Sequence, residues 1–357
     1  MIRIEPRHAP SRWMTFGIPV GSALAALLLA AVPLSFAGAG IIEAYQEMYK
    51  GVFGSVFAFT EMLTRATPLI FTGLAAAIAF RARLWNIGAE GQLYLGAMAA
   101  VALGTGQIDA PAYILLPMVL LAGALAGSLG MLGPAWLKLR FGADEVVTTL
   151  LLNFIILIFV QMMLEGPLKD PMGLGWPQSM PIVDNAVLPA IVPRMRLHWG
   201  LGLAVAVAVV AQLMFSRSVW GFRVQAVGEN PAAARHAGIN VRRVMLGVAM
   251  VSGALAGLAG ASEVTGLKGY LTADLSPGFG YTGIVVAMLA GLSPIGVVVA
   301  ALFIASVFVG ADAMSRALAV SSYLADLVVA MSLICVLIGG FIARNRVIFT
   351  AGARNKS

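Results

Sequence analysis

Asn86, Glu90, Gln92 and Asn153 are polar side chains set in runs so apolar that bulk water cannot serve them. A buried amide or carboxylate costs free energy without a partner, so each must be held by neighbours or meet a polar solute. Asn86, Glu90 and Gln92 fall within Leu84-Trp-Asn-Ile-Gly-Ala-Glu-Gly-Gln-Leu-Tyr-Leu-Gly96, a stretch broken by glycines. Two uses are open to them: hydrogen-bonding unwound backbone so that the break is locked, or lining a solute path or its gate. The cations nearest Glu90 in sequence are Arg83 and Arg81, its expected partners if it is ion-paired. Asn153, in mid-run, suits an interhelical hydrogen bond or a contact in the same path. Glu61 and Arg65, four apart, fit a pair on one helix face. Asp326 is expected to turn toward the interior of a helix bundle.

The residues that would run a reaction are missing. The three histidines, His8, His198 and His236, lie outside the apolar runs, which leaves haem or zinc ligation inside them unsupported. The chain has no His-Glu-x-x-His of a zinc protease and no Gly-Lys dipeptide, so a standard phosphate-binding loop cannot be built. Cys335 is alone and forms no disulfide within the chain. No catalytic residue, metal ligand or cofactor is therefore assigned. If ATP drives this protein, another polypeptide must use it.

Only membrane-spanning helices can position such residues here. Hydrophobic residues make up 60% of the 357 and charged residues 11%, against about 25% in soluble domains. The apolar stretches are continuous rather than alternating, which excludes a β-barrel. The fold class expected is all-α: a polytopic membrane protein with about 10 transmembrane helices, some short or interrupted. The spans fall near 17–37, 62–80, 91–106, 111–133, 145–164, 199–215, 244–263, 281–292, 294–311 and 323–342. With the N-terminus inside, the segments 1–16, 81–90, 134–144, 216–243 and 343–357 are cytoplasmic. They carry 16 of the 23 Lys and Arg, the asymmetry that the positive-inside rule demands, and both termini are then cytoplasmic. The net charge of +7 is explained this way, with no basic-aromatic surface to suggest nucleic acid. The organisation expected is a cytoplasmic tail at 1–16, a transmembrane domain at 17–342 and a cytoplasmic tail at 343–357. Residues 38–56 read as an outside amphipathic segment, and the proline-rich 165–198 as a long outside loop, either a lid or a docking surface.

Two stretches break the pattern. The first is 84–96; the second is Thr272-Ala-Asp-Leu-Ser-Pro-Gly-Phe-Gly-Tyr-Thr-Gly283. Each leads into a span too short to cross about 30 Å of hydrocarbon comfortably. Irregular backbone at that depth survives only against protein or a water-filled cavity, and paired broken segments point to a transport pathway. A third irregular stretch, in the inside segment 216–243, has Pro231 followed by three alanines, which reads as a short helix capped by Asn230 and left at Gly238.

Three motifs carry a resemblance: Arg81-Ala-Arg-Leu-Trp-Asn-Ile-Gly-Ala-Glu-Gly-Gln92, Val227-Gly-Glu-Asn-Pro-Ala-Ala-Ala-Arg-His-Ala-Gly-Ile239 and Gly280-Tyr-Thr-Gly-Ile-Val-Val-Ala-Met-Leu-Ala-Gly-Leu-Ser-Pro-Ile-Gly296. The chain resembles the membrane permease subunits of ATP-binding-cassette importers of the ribose, branched-chain amino acid and nucleoside group. Within it, the nucleoside and simple-sugar permeases that work with a lipoprotein-type binding protein are the most similar. The resemblance implies that Gly228, Glu229, Asn230, Pro231, Ala234, Arg235 and Gly238 shape a helix that docks on a separate ATPase. It also implies a multi-pass protein of the bacterial inner (plasma) membrane, a second permease chain in a heterodimer and an extracytoplasmic binding protein or lipoprotein. ATP would then be used by the partner ATPase, and the chain itself would be no enzyme. A nucleoside is the expected solute, with a sugar, a vitamin-like heterocycle or an amino acid as alternatives. An ion-coupled secondary transporter would also use broken helices, but gives no reason for the helix at 228–239.

Overall fold

The structure, a computed structural model, describes residues 2–6, 12–36 and 40–349. His8 and parts of both expected tails lie outside the described residues. All ten apolar runs are helical. In chain order the helices are α1 (Arg12–Phe36), α2 (Ile41–Phe53), α3 (Val56–Arg81), α4 (Ala89–Gly104), α5 (Ala112–Phe141), α6 (Glu145–Glu165), α7 (Gly200–Arg217), α8 (Val219–Glu229), α9 (Pro231–His236), α10 (Val241–Glu263), α11 (Phe279–Leu289), α12 (Pro294–Ala317) and α13 (Ser322–Arg344). Among the described residues, seven helices are long and apolar enough to cross a membrane. The bent pair formed by α1 and α2, at 118°, makes an eighth if it is one broken span. Helices α4 and α11 are the short ones, 16 and 11 residues. At 1.5 Å per residue the longer reaches only about 24 Å, as the broken stretches predicted.

Two features depart from the sequence expectation. A two-stranded antiparallel ribbon joins β1 (Ile2–Pro6) to β2 (Asn345–Phe349), with Ile4 opposite Val347. The alternation in Ile2-Arg-Ile-Glu and the β-branched Val347 and Ile348 suit strands, a period hidden beside the long apolar runs. The second departure is α8, in what was expected to be irregular before the short helix. Ser218 caps it by accepting from the Gly221 amide at 3.1 Å.

The chain forms two compact units, residues 1–58 with 306–357, and residues 59–305. In the first, Ala30, Leu34, Ala44, Met314 and Val328 form a buried core, and the Tyr45 hydroxyl donates to the Leu27 carbonyl. Asp326 is exposed on α13, contrary to expectation, because Ala325, Val328 and Val329 take the packed face.

The second unit is organised around close helix crossings. A Cβ at Gly257 of α10 would strike the Gly123 carbonyl of α5, and one at Gly127 of α5 would strike the Gly253 carbonyl of α10. Both contacts fall in the same pentapeptide, Gly-Ala-Leu-Ala-Gly, which occurs at 123–127 and again at 253–257. Small residues four apart let backbones meet, the main route to helix association where lipid removes the hydrophobic drive. A Cβ at Gly260 would likewise strike the Leu93 carbonyl of α4. Beyond Glu263 the helix widens into a π turn over Val264–Lys268.

The segment 166–199 is a strap rather than a free loop. Leu188 donates to the Thr265 carbonyl at 2.8 Å, Ile182 to Gly269 at 2.8 Å and Ser179 to Leu271 at 2.9 Å. The Ser179 hydroxyl accepts from the Leu271 amide in return. His198, 1% exposed, lies flat against Gly266, where a Cβ would collide with its ring. Its Nδ1 accepts from the Gly200 amide at 3.1 Å, while Nε2 is buried with no hydrogen-bond partner. Burial lowers the His198 pKa to about 4, so the ring is neutral at pH 7.

Candidate functional site: two half-helices meeting at Glu90

The extended segment 82–88 turns back from the end of α3 and starts α4 alongside the middle of α6. Asn153 holds it there. Its Oδ1 accepts from the Gly91 amide at 2.8 Å, and its Nδ2 donates to the Ile87 carbonyl at 2.9 Å and to the Tyr281 hydroxyl at 3.2 Å. Asn86 and Gln92 pair amide to amide, each donating to the other's oxygen at 2.8 and 2.9 Å. Asn86 also donates to the Ser252 hydroxyl at 2.9 Å, which in turn donates to the Ala75 carbonyl. The same Asn86 oxygen accepts from the Gly88 amide, which replaces the bond that the unwound turn forgoes. Asn86, Gln92 and Asn153 are 0–1% exposed. Their hydrogen-bonding capacity is spent on the break itself. Nearer the end of α3, Glu145 accepts from the Trp85 amide and pairs with Lys138.

Helix α11 is the counterpart. The irregular segment 269–278 leads to its N-terminus, where Ser276 Oγ accepts from the Gly278 and Phe279 amides. Tyr94 of α4 fixes this segment, donating to the Ala273 carbonyl at 2.8 Å and accepting from the Ser276 amide. The N-termini of α4 and α11 then meet backbone to backbone. A Cβ at Gly280 would strike the Glu90 nitrogen, and the Glu90 carboxylate accepts from the Gly280 amide at 2.6 Å. The Ser276 side chain and the Gly278 amide lie beside it. Gly283 packs on Thr72, near the middle of α3, so the junction stands at mid-length of long helices.

The electrostatics follow from this geometry. Each helix N-terminus carries roughly half a positive charge, so two of them converge on a carboxylate only 4% exposed. Glu90 is thus held by backbone, one of the two uses open to it from sequence, and not by the alternative partners Arg81 or Arg83. Arg81 instead donates to the Leu292 carbonyl at 2.9 Å and lies over the Phe215 ring. Elsewhere, Glu61 reaches Arg196 of the strap at 3.7 Å, and the Arg65 guanidinium lies over the Phe279 ring.

At the other site, Asn230 caps α9 by accepting from the Ala232 and Ala233 amides, both at 3.0 Å. Pro231 occupies its first turn, and Gly238 leaves it with φ +81°, a conformation favouring glycine. Ala234 is buried as the anchor, while Arg235 and His236 are exposed. Gly228 and Glu229 close α8 rather than opening this helix, and Gly228 is pressed on the Arg81 carbonyl. No cluster of metal-ligating side chains occurs among the described residues. Sequence reasoning missed Tyr94, Ser252 and Ser276; Tyr94 and Ser276 lay within the flagged stretches 84–96 and 272–283, and no pattern singled out Ser252.

Residues 58–337 match the family model for the branched-chain amino acid transport system permease component. The glucose ABC transporter permease protein TsgB13 of Haloferax volcanii is 36% identical over 97% of this chain and 93% of its own length. The guanosine ABC transporter permease protein NupP of Bacillus subtilis is 36% identical over 89% of this chain and 92% of its own. Among solved structures, PsaBC from Streptococcus pneumoniae in complex with Fab aligns at TM-score 0.50 and 12% identity, covering 82% of this chain and 94% of that one, a likeness of fold alone. With half-helices meeting between long apolar ones, and with matches of this length, the chain belongs to the branched-chain amino acid transport system permease component family and is a multi-pass protein of the plasma membrane.

Proposed function

We propose that the chain is the permease subunit of an ATP-driven importer, that it carries a nucleoside, and that Glu90 latches the path. The observation that carries this reading is the junction of α4 and α11, two half-helices whose N-termini share one carboxylate. Broken helices with N-termini near mid-membrane are how transporters present dipoles to a solute. In this state Glu90 takes those donors for itself, which closes the junction; a polar solute would compete for them as the helices part. Asn86, Gln92 and Asn153 hold the broken backbone in place while this happens.

The chain would hydrolyse no ATP and need no cofactor of its own. Its α9, capped and exposed, is the contact for a separate ATPase, with Arg235 outward and Ala234 as the anchor. The topology we adopt has about ten spans, counting α4 and α11, with 1–16 and 343–357 as cytoplasmic tails. The pairing of β1 with β2 supports this by bringing both ends to one side. An extracytoplasmic binding protein and a second permease chain complete the system. A nucleoside is favoured by the guanosine permease relative, and the glucose permease relative keeps a sugar as the second reading. Uptake of radiolabelled guanosine into cells expressing the complete transporter, with unlabelled guanosine or glucose as competitor, decides between them. Uptake suppressed by unlabelled guanosine and not by glucose is expected; no transporter-dependent uptake of guanosine, with uptake of radiolabelled glucose in its place, would move the assignment to a sugar.

A further inference from the structure

Arg81 ends α3 where three elements meet. Its Nε donates at 2.9 Å to the carbonyl of Leu292, in the turn between α11 and α12. Its guanidinium stacks on Phe215 of α7, 4.3 Å from the ring centroid, and Phe215 in turn packs beside Trp220 of α8. Its own carbonyl is the atom against which Gly228 of α8 is pressed. One residue therefore touches the elbow between α7 and α8, the root of the exposed α9, and the far end of the half-helix that holds Glu90.

The backbone at this node is strained. Leu292 has φ +60° and Arg83 φ +52°, left-handed conformations disfavoured for a non-glycine residue. Such strain persists only where the surroundings over-determine it, and the Arg81 hydrogen bond is one of the contacts that do so. Between Leu292 and Gly280 the chain is mostly α11, an 11-residue helix too short to bend, so displacement of one end is carried to the other.

We infer that Arg81 is the positioning residue that couples the cytoplasmic segment 219–239 to α11, and through α11 to the Glu90 junction. The inference rests on the reading of α9 as the ATPase contact. Spatial intermediacy alone does not establish coupling, so the test follows motion at both ends. In the complete transporter, on a Cys335→Ser background, nitroxide labels are placed at Ala232 of α9 and Met288 of α11. Distances from each to a label at Leu121 of α5 are measured with and without ATP and vanadate; all three positions are exposed. In the otherwise unchanged protein both distances are expected to shift by about 2 Å or more, the scale of helix displacements in such transitions. In Arg81→Met the shift at 232 persists and the shift at 288 is lost. Equal shifts at 288 with and without Arg81 overturn the inference while leaving the α9 reading intact. No shift at 232 in the unchanged protein overturns that reading and, with it, the inference. Should Arg81→Met fail to assemble, Leu292→Gly tests the same link. Glycine accepts φ +60° without strain, so the turn yields and the shift at 288 is expected to shrink; an undiminished shift overturns the inference.

Discussion

Glu90 is the residue whose chemistry the surroundings do not neutralise with another charge. Its hydrogen-bond partner is the Gly280 amide, and the opposing charge is the summed dipole of two helix ends. Glu90→Gln keeps an acceptor oxygen at the same reach and removes the charge. Uptake is expected to fall about tenfold, the loss of roughly 1.4 kcal/mol at the junction, with normal assembly. Uptake at the unchanged level would limit Glu90 to a hydrogen-bonding role. Glu90→Ala also strands the Gly280 amide, at about 1–3 kcal/mol, so a lower unfolding temperature in detergent is expected for that variant alone. The sequence marked Glu90 as costly, since a carboxylate in an apolar run must be served by something. It did not reveal by what, because every residue carries an amide and nothing in residue type marks Gly280 as the donor. The sequence cations Arg81 and Arg83 were for that reason the wrong partners.

At the scale of elements, breaks were legible and joints were not. Glycines and polar residues at 84–96 and 272–283 announced two short helices, because those residues are unfavourable inside a continuous span. The crossing of α5 with α10 was written in the repeated Gly-Ala-Leu-Ala-Gly, yet a pentapeptide in a glycine-rich chain stands out only once the two copies are seen in contact. Gly257→Val is expected to force these backbones apart and destabilise the unit by about 1–3 kcal/mol, the usual cost of overpacking. Gly133, with open space around its Cβ position, serves as the control, and equal melting of Gly257→Val and Gly133→Val would refute the close crossing. The strap is stitched to 265–271 by main-chain bonds that no side chain foretells, so the prolines signalled only a long connection. His198 makes the strap sensitive to acid. The unfolded imidazole protonates near pH 6.5 and the folded one only near 4, so the unfolded chain binds the extra proton between them. Stability is therefore full above pH 6.5 and falls as the pH drops toward 4, by about 3 kcal/mol in all. Hydrogen exchange at 179–190 should accelerate between pH 7 and 5 relative to intrinsic rates. His198→Asn, which can still accept from the Gly200 amide, should remove that component. An identical pH profile in the variant would show that another group governs the strap.

For the whole molecule, the question is how work done by a second polypeptide reaches an intramembrane junction in this one. On the proposed reading the segment 219–239 supplies the contact, and its construction assigns binding and transmission to different residues. Arg235 is exposed and makes no demand on the fold, whereas Ala234 is buried and Gly228 is wedged against α3. Arg235→Glu should therefore leave melting and membrane insertion unchanged. Reversing a charge at an interface rim weakens docking through repulsion, so the ATPase should co-purify less and solute uptake should fall several-fold. Gly238→Glu adds a backbone term, because φ +81° is disfavoured for a side-chain-bearing residue, and the exit of α9 should shift. Asn230→Ala removes the cap and should cost α9 about 1 kcal/mol without touching any charge. The three variants separate contact from shape. Loss of uptake in Arg235→Glu with retained ATPase binding places the residue in transmission, while loss of both places it in docking. If uptake and co-purification are unchanged in Arg235→Glu and Gly238→Glu alike, α9 is an ordinary basic loop, and the force on α11 must arrive by another route.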